Sequence, residues 1–219
     1  MIAQAAAVPA IVAQAAQIAA RAQQGIVGFR LHRAFDVHAG PFHRHDDMEF
    51  AGVYEDGRLI KVRILHQQIG GQETDDATKS KTEHGYEHPG PNDVFARPYD
   101  ERHLNDYADD LLPDGTIRFR ALVRDPAHGD GTFSVDAAGN VLTVHYTPCV
   151  MPPYAHAGTV DQRLAEVLPG YWTLTLEQHH YTGRYFVFSG EATATIDQSR
   201  FVRFSDEAAA LQALNDGRI

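Results

Sequence analysis

Cysteine is almost absent from this chain, because Cys149 is the only one among 219 residues. A single cysteine excludes an intramolecular disulfide and any zinc site built from cysteines alone. Basic residues are also few: 19 Lys and Arg are outnumbered by 29 Asp and Glu, and the formal net charge is −10. Binding to phosphates of nucleic acid or of an anionic membrane requires clustered cations, so we expect neither kind of partner.

Long apolar runs are lacking too. No stretch approaches the roughly 20 apolar residues that span a bilayer, so the sequence predicts no transmembrane segment. Residues 1–7, MIAQAAA, contain the small-residue A-x-A pattern typical of a signal-peptide cleavage site, although they lack a basic region before it. One interpretation is a periplasmic or secreted protein whose signal peptide has been removed. The alternative is the start of an Ala-rich helix.

Two kinds of periodicity follow one another along the chain. Apolar residues recur at three- and four-residue steps from Val8 to Ala22, which predicts an N-terminal helix within residues 1–24. Thereafter apolar and polar residues alternate, and Asp56-Gly57 between two alternating runs predicts a tight hairpin. We expect an α+β, mainly β protein: a single domain over residues 1–219 with about nine or ten sequential strands.

Three further segments complete the predicted layout. Residues 66–98 are polar and without apolar period, which predicts a long loop. A short helix is expected around residues 100–112, and another at the C-terminus over residues 207–214. A long antiparallel sheet with so little helix must curve, so we expect the N-terminal helix to pack on its concave side.

The second half carries a pattern that resembles a known superfamily. The chain has GYWTLTLE at residues 170–177, YTGRYFVFSG at 181–190 and QSRFVRF at 198–204, after an Ala-rich helix, a long strand pair and a polar insertion. This order is similar to that of the LolA-like lipoprotein-sorting superfamily of Gram-negative bacteria. The resemblance implies a curved antiparallel half-barrel that carries an acyl chain or docks on a periplasmic partner, without catalytic residues or a cofactor.

A curved sheet with an apolar inner surface, closed by a helix of small residues, can hold a fatty chain. We therefore expect a carrier whose partner is a lipid or a lipidated protein, with an envelope protein as a further partner. The predicted lining residues are Phe29, Leu31, Phe50, Ile60, Val62, Phe119, Val144, Trp172 and Leu174.

The main alternative is a metal-dependent enzyme. His43, His45 and Glu49 resemble the first metal motif of cupins, and two imidazoles with one carboxylate suit iron(II) or zinc. In an extended strand Glu49 would lie about 13 Å beyond His45, so a bend would have to bring it back. The second cupin motif is absent. A third alternative is an interaction module that contacts another protein through residues 66–98.

Overall fold

The computed structural model describes residues 8–90, 94–185 and 187–219. Residues 1–7, on which the export interpretation rests, lie outside the described part. The described chain contains three α-helices, one short 3₁₀ helix and eleven strands. The helices are α1 (Ala10–Ala22), α2 (Asp76–Glu87) and α3 (Glu207–Asn215). The strands are β1 (Ile26–Ala39), β2 (Phe42–Glu55), β3 (Arg58–Ile69), β4 (Gln72–Glu73), β5 (Tyr107–Leu111), β6 (Ile117–Ala121), β7 (Gly129–Val135), β8 (Val141–Pro148), β9 (Ala155–Leu168), β10 (Tyr171–Tyr185) and β11 (Phe188–Phe204).

All eleven strands belong to one open antiparallel sheet. Its order is β4-β3-β2-β1-β11-β10-β9-β8-β7-β6-β5, so every neighbouring pair is sequential except β1 and β11. The pairing of β1 with β11 joins the two ends of the chain in the middle of the sheet. The predicted α+β, mainly β class, with an open antiparallel sheet and an N-terminal helix, is confirmed, with slightly more strands than expected.

The two faces of the sheet differ in what covers them. We call the face in contact with α1 and α2 the inner face, because its strand residues form two apolar clusters with those helices. The opposite face, here the outer face, carries α3 and a smaller cluster that includes Ala51, Val53 and Leu214. Successive side chains of a strand point to opposite faces of the sheet, so residues of the inner and outer faces alternate along each strand.

The predicted hairpin at Asp56-Gly57 is confirmed. Both turn residues have positive φ, 47° at Asp56 and 74° at Gly57. Two-residue turns with this backbone conformation match the right-handed twist of the strands in a hairpin. The Asp56 carboxylate also accepts a hydrogen bond from the backbone N–H of Gly25 at 2.8 Å. The turn between β2 and β3 is thereby joined to the residue that precedes β1.

Small side chains let α1 lie close to the inner face. Val12, Ala15 and Ala16 are buried, and Val12 and Ala15 belong to the cluster on β5–β9. At the other end of the chain, the predicted C-terminal helix is found as α3. The Asp206 side chain begins α3 by accepting a hydrogen bond from the backbone N–H of Ala209 at 2.8 Å.

The prediction of a loop over residues 66–98 is wrong for much of that segment, which contains the end of β3, β4 and α2. Asp75 caps α2 by accepting from the backbone N–H of Thr78 at 2.8 Å. None of the twelve described residues of α2 is buried, so the helix has no apolar stripe for a sequence pattern to reveal. Its contacts with β3 are mainly polar and become visible only in the tertiary structure.

The helix expected over residues 100–112 is also wrong. Only a short 3₁₀ helix, Leu104–Asp106, forms there, and it is followed at once by β5. β5 pairs with β6 along its whole length, from Tyr107 opposite Ala121 to Leu111 opposite Ile117. The five residues of β5 have apolar side chains at both ends, so their pattern fits a helix as well as a strand. Pairing with β6 makes the segment a strand.

Candidate functional site

The inner face of β1–β3 carries an apolar cluster, which we call the β1–β3 cluster. Its buried members are Phe29, Leu31, Met48, Phe50, Val62 and Ile64. Within it, the Phe29 ring stacks on Tyr54 with centroids 4.3 Å apart and meets Phe50 edge-on at 6.0 Å. Tyr54 packs against the cluster, and its hydroxyl accepts a hydrogen bond from Gln198 Nε2 at 3.3 Å.

Helix α2 covers the β1–β3 cluster through one aromatic side chain and a set of polar contacts. The Tyr86 ring lies 4.9 Å from Phe50. Glu83 accepts from the backbone N–H of Ile64 at 2.7 Å, and Glu87 accepts from that of Val62 at 3.2 Å. These carboxylates occupy the edge of β3, where a further strand would otherwise pair. The cover is thus held to the sheet edge by polar groups.

A second apolar cluster, the β5–β9 cluster, fills the other half of the inner face. Its buried strand residues include Ile117, Phe119, Phe133 and Val144. Two parts of the chain pack on it: α1, and the segment of residues 94–103 that precedes the 3₁₀ helix. In that segment Phe95 stacks on Tyr146 with a centroid separation of 4.0 Å.

A buried polar centre lies between the two apolar clusters. Glu177 of β10 accepts hydrogen bonds from His179 at 2.6 Å and from Gln162 of β9 at 2.5 Å. Burial by itself disfavours the charged carboxylate, but these hydrogen bonds and the nearby Arg97 outweigh burial and lower the pKa of Glu177. We therefore expect Glu177 to be ionised at neutral pH inside the protein.

Arg97 brings a positive charge to the polar centre. It is half-buried in the segment 94–103 and lies close enough to Tyr54, Tyr99 and Glu177 to interact with them electrostatically. Its guanidinium forms no hydrogen bond or ion pair with any residue in the described part of the chain. Desolvating a charge without direct hydrogen bonds is unfavourable, so this group is suited to an anionic ligand.

Three other polar atoms at the centre are buried without a hydrogen-bond partner among the described residues. They are Tyr99 Oη, Gln162 Oε1 and Gln198 Oε1. Gln198 Nε2 donates to Tyr54 Oη at 3.3 Å, which places Gln198 at the border of the β1–β3 cluster. Buried polar atoms are nearly always satisfied in folded proteins, so three unsatisfied atoms in one place indicate a position for water or a ligand.

The structure distributes the predicted lining residues over several places. Phe29, Leu31, Phe50 and Val62 come together in the β1–β3 cluster, and Phe119 and Val144 lie in the β5–β9 cluster. Ile60 packs instead against the cluster beneath α3 on the outer face. Trp172 and Leu174 are half-buried at the start of β10. That these nine residues line a ligand-binding cavity stays a prediction.

Sequence reasoning missed the polar centre because of one irregularity in β10. Alternation from Trp172 puts Glu177 on the polar side, with the threonines. The pairing with β9 shifts between Leu174 and Leu176, which exchanges the faces of the residues that follow. Glu177 thereby reaches the inner face. Arg97 gave no signal at all, because it lies in an irregular segment.

The residues of the cupin-like alternative share one face of β2 but do not converge. β2 continues without interruption from Phe42 to Glu55, so no bend returns Glu49 to the histidines. Glu49 instead forms an ion pair with Arg30 at 3.0 Å. His45 hydrogen-bonds to Asp36 at 2.8 Å, and His43 lies in a group with Asp36 and His38 whose possible ligand atoms are within 4.8 Å of one another. Metal binding by the histidines stays a prediction.

In class, the molecule is an open antiparallel β-sheet whose inner face is covered by its own helices. No helix in the described ranges is long and apolar enough to cross a membrane. No protein-family model matches the sequence, and no curated protein matches it.

Among solved structures, the chain is similar to several proteins over nearly its whole length. One is a LolA superfamily protein, NE2245 from Nitrosomonas europaea, with 9% identity and a TM-score of 0.35, covering 98% of this chain and 100% of that one. Another is a putative outer membrane lipoprotein-sorting protein domain from Vibrio parahaemolyticus, with 11% identity and a TM-score of 0.46, covering 94% and 97%. A third is a DUF1329 family protein from Desulfovibrio piger, with 10% identity and a TM-score of 0.41, covering 94% and 98%. The structures that the chain resembles therefore include a LolA superfamily protein, as the sequence pattern led us to expect.

Proposed function

We propose that the protein is a periplasmic binding or carrier protein for an amphiphile, with an acyl chain held on the inner face and an anionic head group at Arg97. The observation that carries the proposal is the juxtaposition of the β1–β3 cluster with the polar centre. Tyr54 belongs to both, because its ring stacks on Phe29 and its hydroxyl accepts from Gln198. A ligand with an apolar tail and a charged head would match both parts at once.

The cover over the β1–β3 cluster supports entry of an acyl chain. Since no residue of α2 is buried, displacing this helix exposes little apolar surface of the helix itself. The acyl chain of the ligand would take the place of Tyr86 against Phe50. Each methylene buried there contributes about 0.8 kcal/mol to the free energy of binding. On this proposal the structure shows the closed, ligand-free form, in which α2 occupies the position of the acyl chain.

The head group is proposed to be a carboxylate or a phosphate. Among the described residues the Arg97 guanidinium forms no direct hydrogen bond, and a guanidinium pairs well with planar or tetrahedral oxyanions. Tyr99 adds a buried hydroxyl that lacks a partner among the described residues and can donate to the same anion. Glu177 is held by His179 and Gln162, so Arg97 remains available to the ligand.

The test is equilibrium binding of a fluorescent long-chain fatty acid to the purified protein after organic extraction. We expect saturable binding by the native chain and at least tenfold weaker binding by Arg97→Gln. Arg118→Gln is the matched control, because Arg118 is exposed and pairs with Asp110 away from the polar centre. A fatty alcohol of the same length separates the two halves of the proposal, since it should bind both Arg97→Gln and the native chain alike.

Two results would contradict the proposal. One is the absence of saturable binding by a protein whose circular dichroism shows the native fold. The other is equal affinity for the fatty acid in Arg97→Gln and Arg118→Gln. The periplasmic location is tested separately, by fractionation of cells that express the complete gene from its own promoter.

A further inference from the structure

A compact group of side chains that could hold a metal ion lies where the 3₁₀ helix meets the loop of residues 122–128 between β6 and β7. It consists of His103, Asp106 and His128, whose possible ligand atoms all lie within 4.8 Å of one another. His103 and Asp106 are at the two ends of one turn. His128 comes from the far side, 22 residues along the chain from Asp106. We call these three residues the His-Asp-His group.

The distances within the His-Asp-His group fit a shared metal ion. Asp106 Oδ2 lies 2.8 Å from His103 Nδ1 and 3.4 Å from His128 Nε2. Ligand atoms bound at about 2.0–2.1 Å in a tetrahedral site are about 3.3 Å apart, because the edge of a tetrahedron is about 1.6 times its bond length. Only small shifts of the side chains are needed to place an ion between the three atoms.

The second nitrogen of His128 is already held in the way that metal ligands require. His128 Nδ1 lies 2.6 Å from Asp125 Oδ1, and His128 is largely buried. In the tautomer that donates the Nδ1 proton to Asp125, the lone pair of Nε2 is available to bind a cation together with the Asp106 carboxylate. The carboxylate–histidine–metal arrangement has this form in known metal sites.

The backbone around the His-Asp-His group is fixed before any metal binds. Leu122 N–H donates to the carbonyl of Asp106 at 2.8 Å, and Cys149 N–H donates to the carbonyl of His128 at 2.8 Å. The Asp125 carboxylate also accepts from the backbone N–H of Ala127 at 2.9 Å, which sets its position beside the imidazole. A preorganised donor set loses little conformational entropy when it binds an ion.

We propose that His103, Asp106 and His128 bind one divalent metal ion of the zinc type, with Asp125 as the residue that orients His128. Two imidazoles and one carboxylate suit zinc and its first-row neighbours and disfavour calcium or magnesium, which prefer oxygen ligands. The ion would fasten the segment 94–106, which carries Arg97 and Tyr99 to the inner face, to the loop 122–128. It would therefore stabilise the cover of the β5–β9 cluster.

The experiment is a zinc titration of the full chain after removal of metal with a chelator and extensive dialysis. Calorimetry is expected to show one zinc ion per chain at this site, cobalt(II) is expected to give the visible absorption of a tetrahedral site, and the melting temperature should rise. His103→Gln and Asp106→Asn should each weaken zinc binding at least tenfold. Asp125→Ala, which leaves all three ligands in place, should weaken it about 10- to 100-fold.

Two control variants distinguish this site from others. His43→Gln alters the exposed group of Asp36, His38 and His43, and His145→Gln alters the isolated pair of His145 and Asp161. Both should leave the ion at the His-Asp-His group unchanged. The proposal is overturned if the chain shows no saturable zinc binding, or if His103→Gln and Asp106→Asn bind zinc as tightly as the native chain. Circular dichroism of each variant verifies that a lost ion is not a lost fold.

Discussion

Glu83 of α2 accepts a hydrogen bond from the backbone N–H of Ile64 at 2.7 Å, so a helix side chain satisfies the exposed edge of a β-strand. Glu87 accepts a hydrogen bond from the backbone N–H of Val62 on the same edge of β3, and it also forms an ion pair with Lys61 at 2.8 Å. These contacts attach the polar helix to the edge of the sheet. They also place Tyr86 over Phe50, and so they close the β1–β3 cluster.

Removal of both carboxylates should loosen this cover. We expect Glu83→Ala combined with Glu87→Ala to lower the free energy of unfolding by about 1–3 kcal/mol, because two charge-assisted hydrogen bonds to the backbone are lost. The double variant should also increase the fluorescence of a dye that binds exposed apolar surface. Lys81→Ala on the same helix is the control, since Lys81 is exposed. An unchanged dye signal would show that α2 does not cover the cluster in solution.

Acyl chain length should control affinity if the guest lies in the β1–β3 cluster. Each additional pair of methylenes is expected to tighten binding roughly tenfold or more, from about 0.8 kcal/mol per methylene, until the cluster is filled. Displacement of a fluorescent fatty acid by saturated acids of 8, 10, 12, 14 and 16 carbons measures this series. Affinity that does not vary with length would contradict an apolar site for the chain.

Asp109 should make the stability of the protein depend on pH. Its carboxylate oxygens are buried without partners in the described part of the chain, and burial, with a smaller contribution from Asp110, raises its pKa to about 6. The folded state therefore holds this proton more tightly than the unfolded state, in which the pKa is about 3.9. Asp109 contributes fully to stability below about pH 4, and this contribution is lost as the pH rises through 6.

Asp109→Asn removes that ionisation. We expect the variant to be more stable than the native chain at pH 7, by about 1–3 kcal/mol, and to differ little from it at pH 4. Urea unfolding at a series of pH values measures the difference, with Glu101→Gln as an exposed acidic control. A difference between Asp109→Asn and the native chain that is the same at both pH values would refute the assignment.

Gly131 should tolerate no side chain. A Cβ there would collide with the carbonyl oxygen of His145 and with Tyr146 in the neighbouring strand β8. Because both obstacles include backbone atoms, Gly131→Ala is expected to cost about 3 kcal/mol or more. Gly85→Ala is the opposite case, since Gly85 lies in α2 with open space around it and alanine favours a helix by about 1 kcal/mol. Thermal unfolding of the two variants should therefore shift in opposite directions.

The sequence pattern was sufficient where a segment decides its own structure. Alternation predicted β1, β2 and β3, the face of small residues predicted α1, and Asp56-Gly57 predicted the hairpin, since each signal is contained in a few neighbouring residues. The same kind of pattern failed to predict α2 and β5. In α2 the stabilising contacts are carboxylates bonded to a distant strand edge, and at β5 the deciding partner is β6.

Part of the candidate binding face could also be expected from the sequence. Four of the predicted lining residues, Phe29, Leu31, Phe50 and Val62, lie in one cluster, because β1, β2 and β3 are joined by short turns that fix their register. Ile60 lies on the outer face, because the pairing of β2 and β3 shifts between Val53 and Tyr54, and no local signal predicts that shift. The His-Asp-His group was beyond prediction for a similar reason, since His128 and His103 lie in separate irregular segments.

The amino-acid sequence by itself determined that this protein is an acidic, mainly β chain with one small-residue helix, because strand and helix periods are properties of adjacent residues. Only the tertiary structure decided which face of each strand is covered. It did so through the register shift near Leu174, which turns Glu177 inward, and through the path of residues 94–103, which carries Arg97 beside it. A polar centre between two apolar clusters depends on the pairing of distant strands, and no local pattern encodes that pairing.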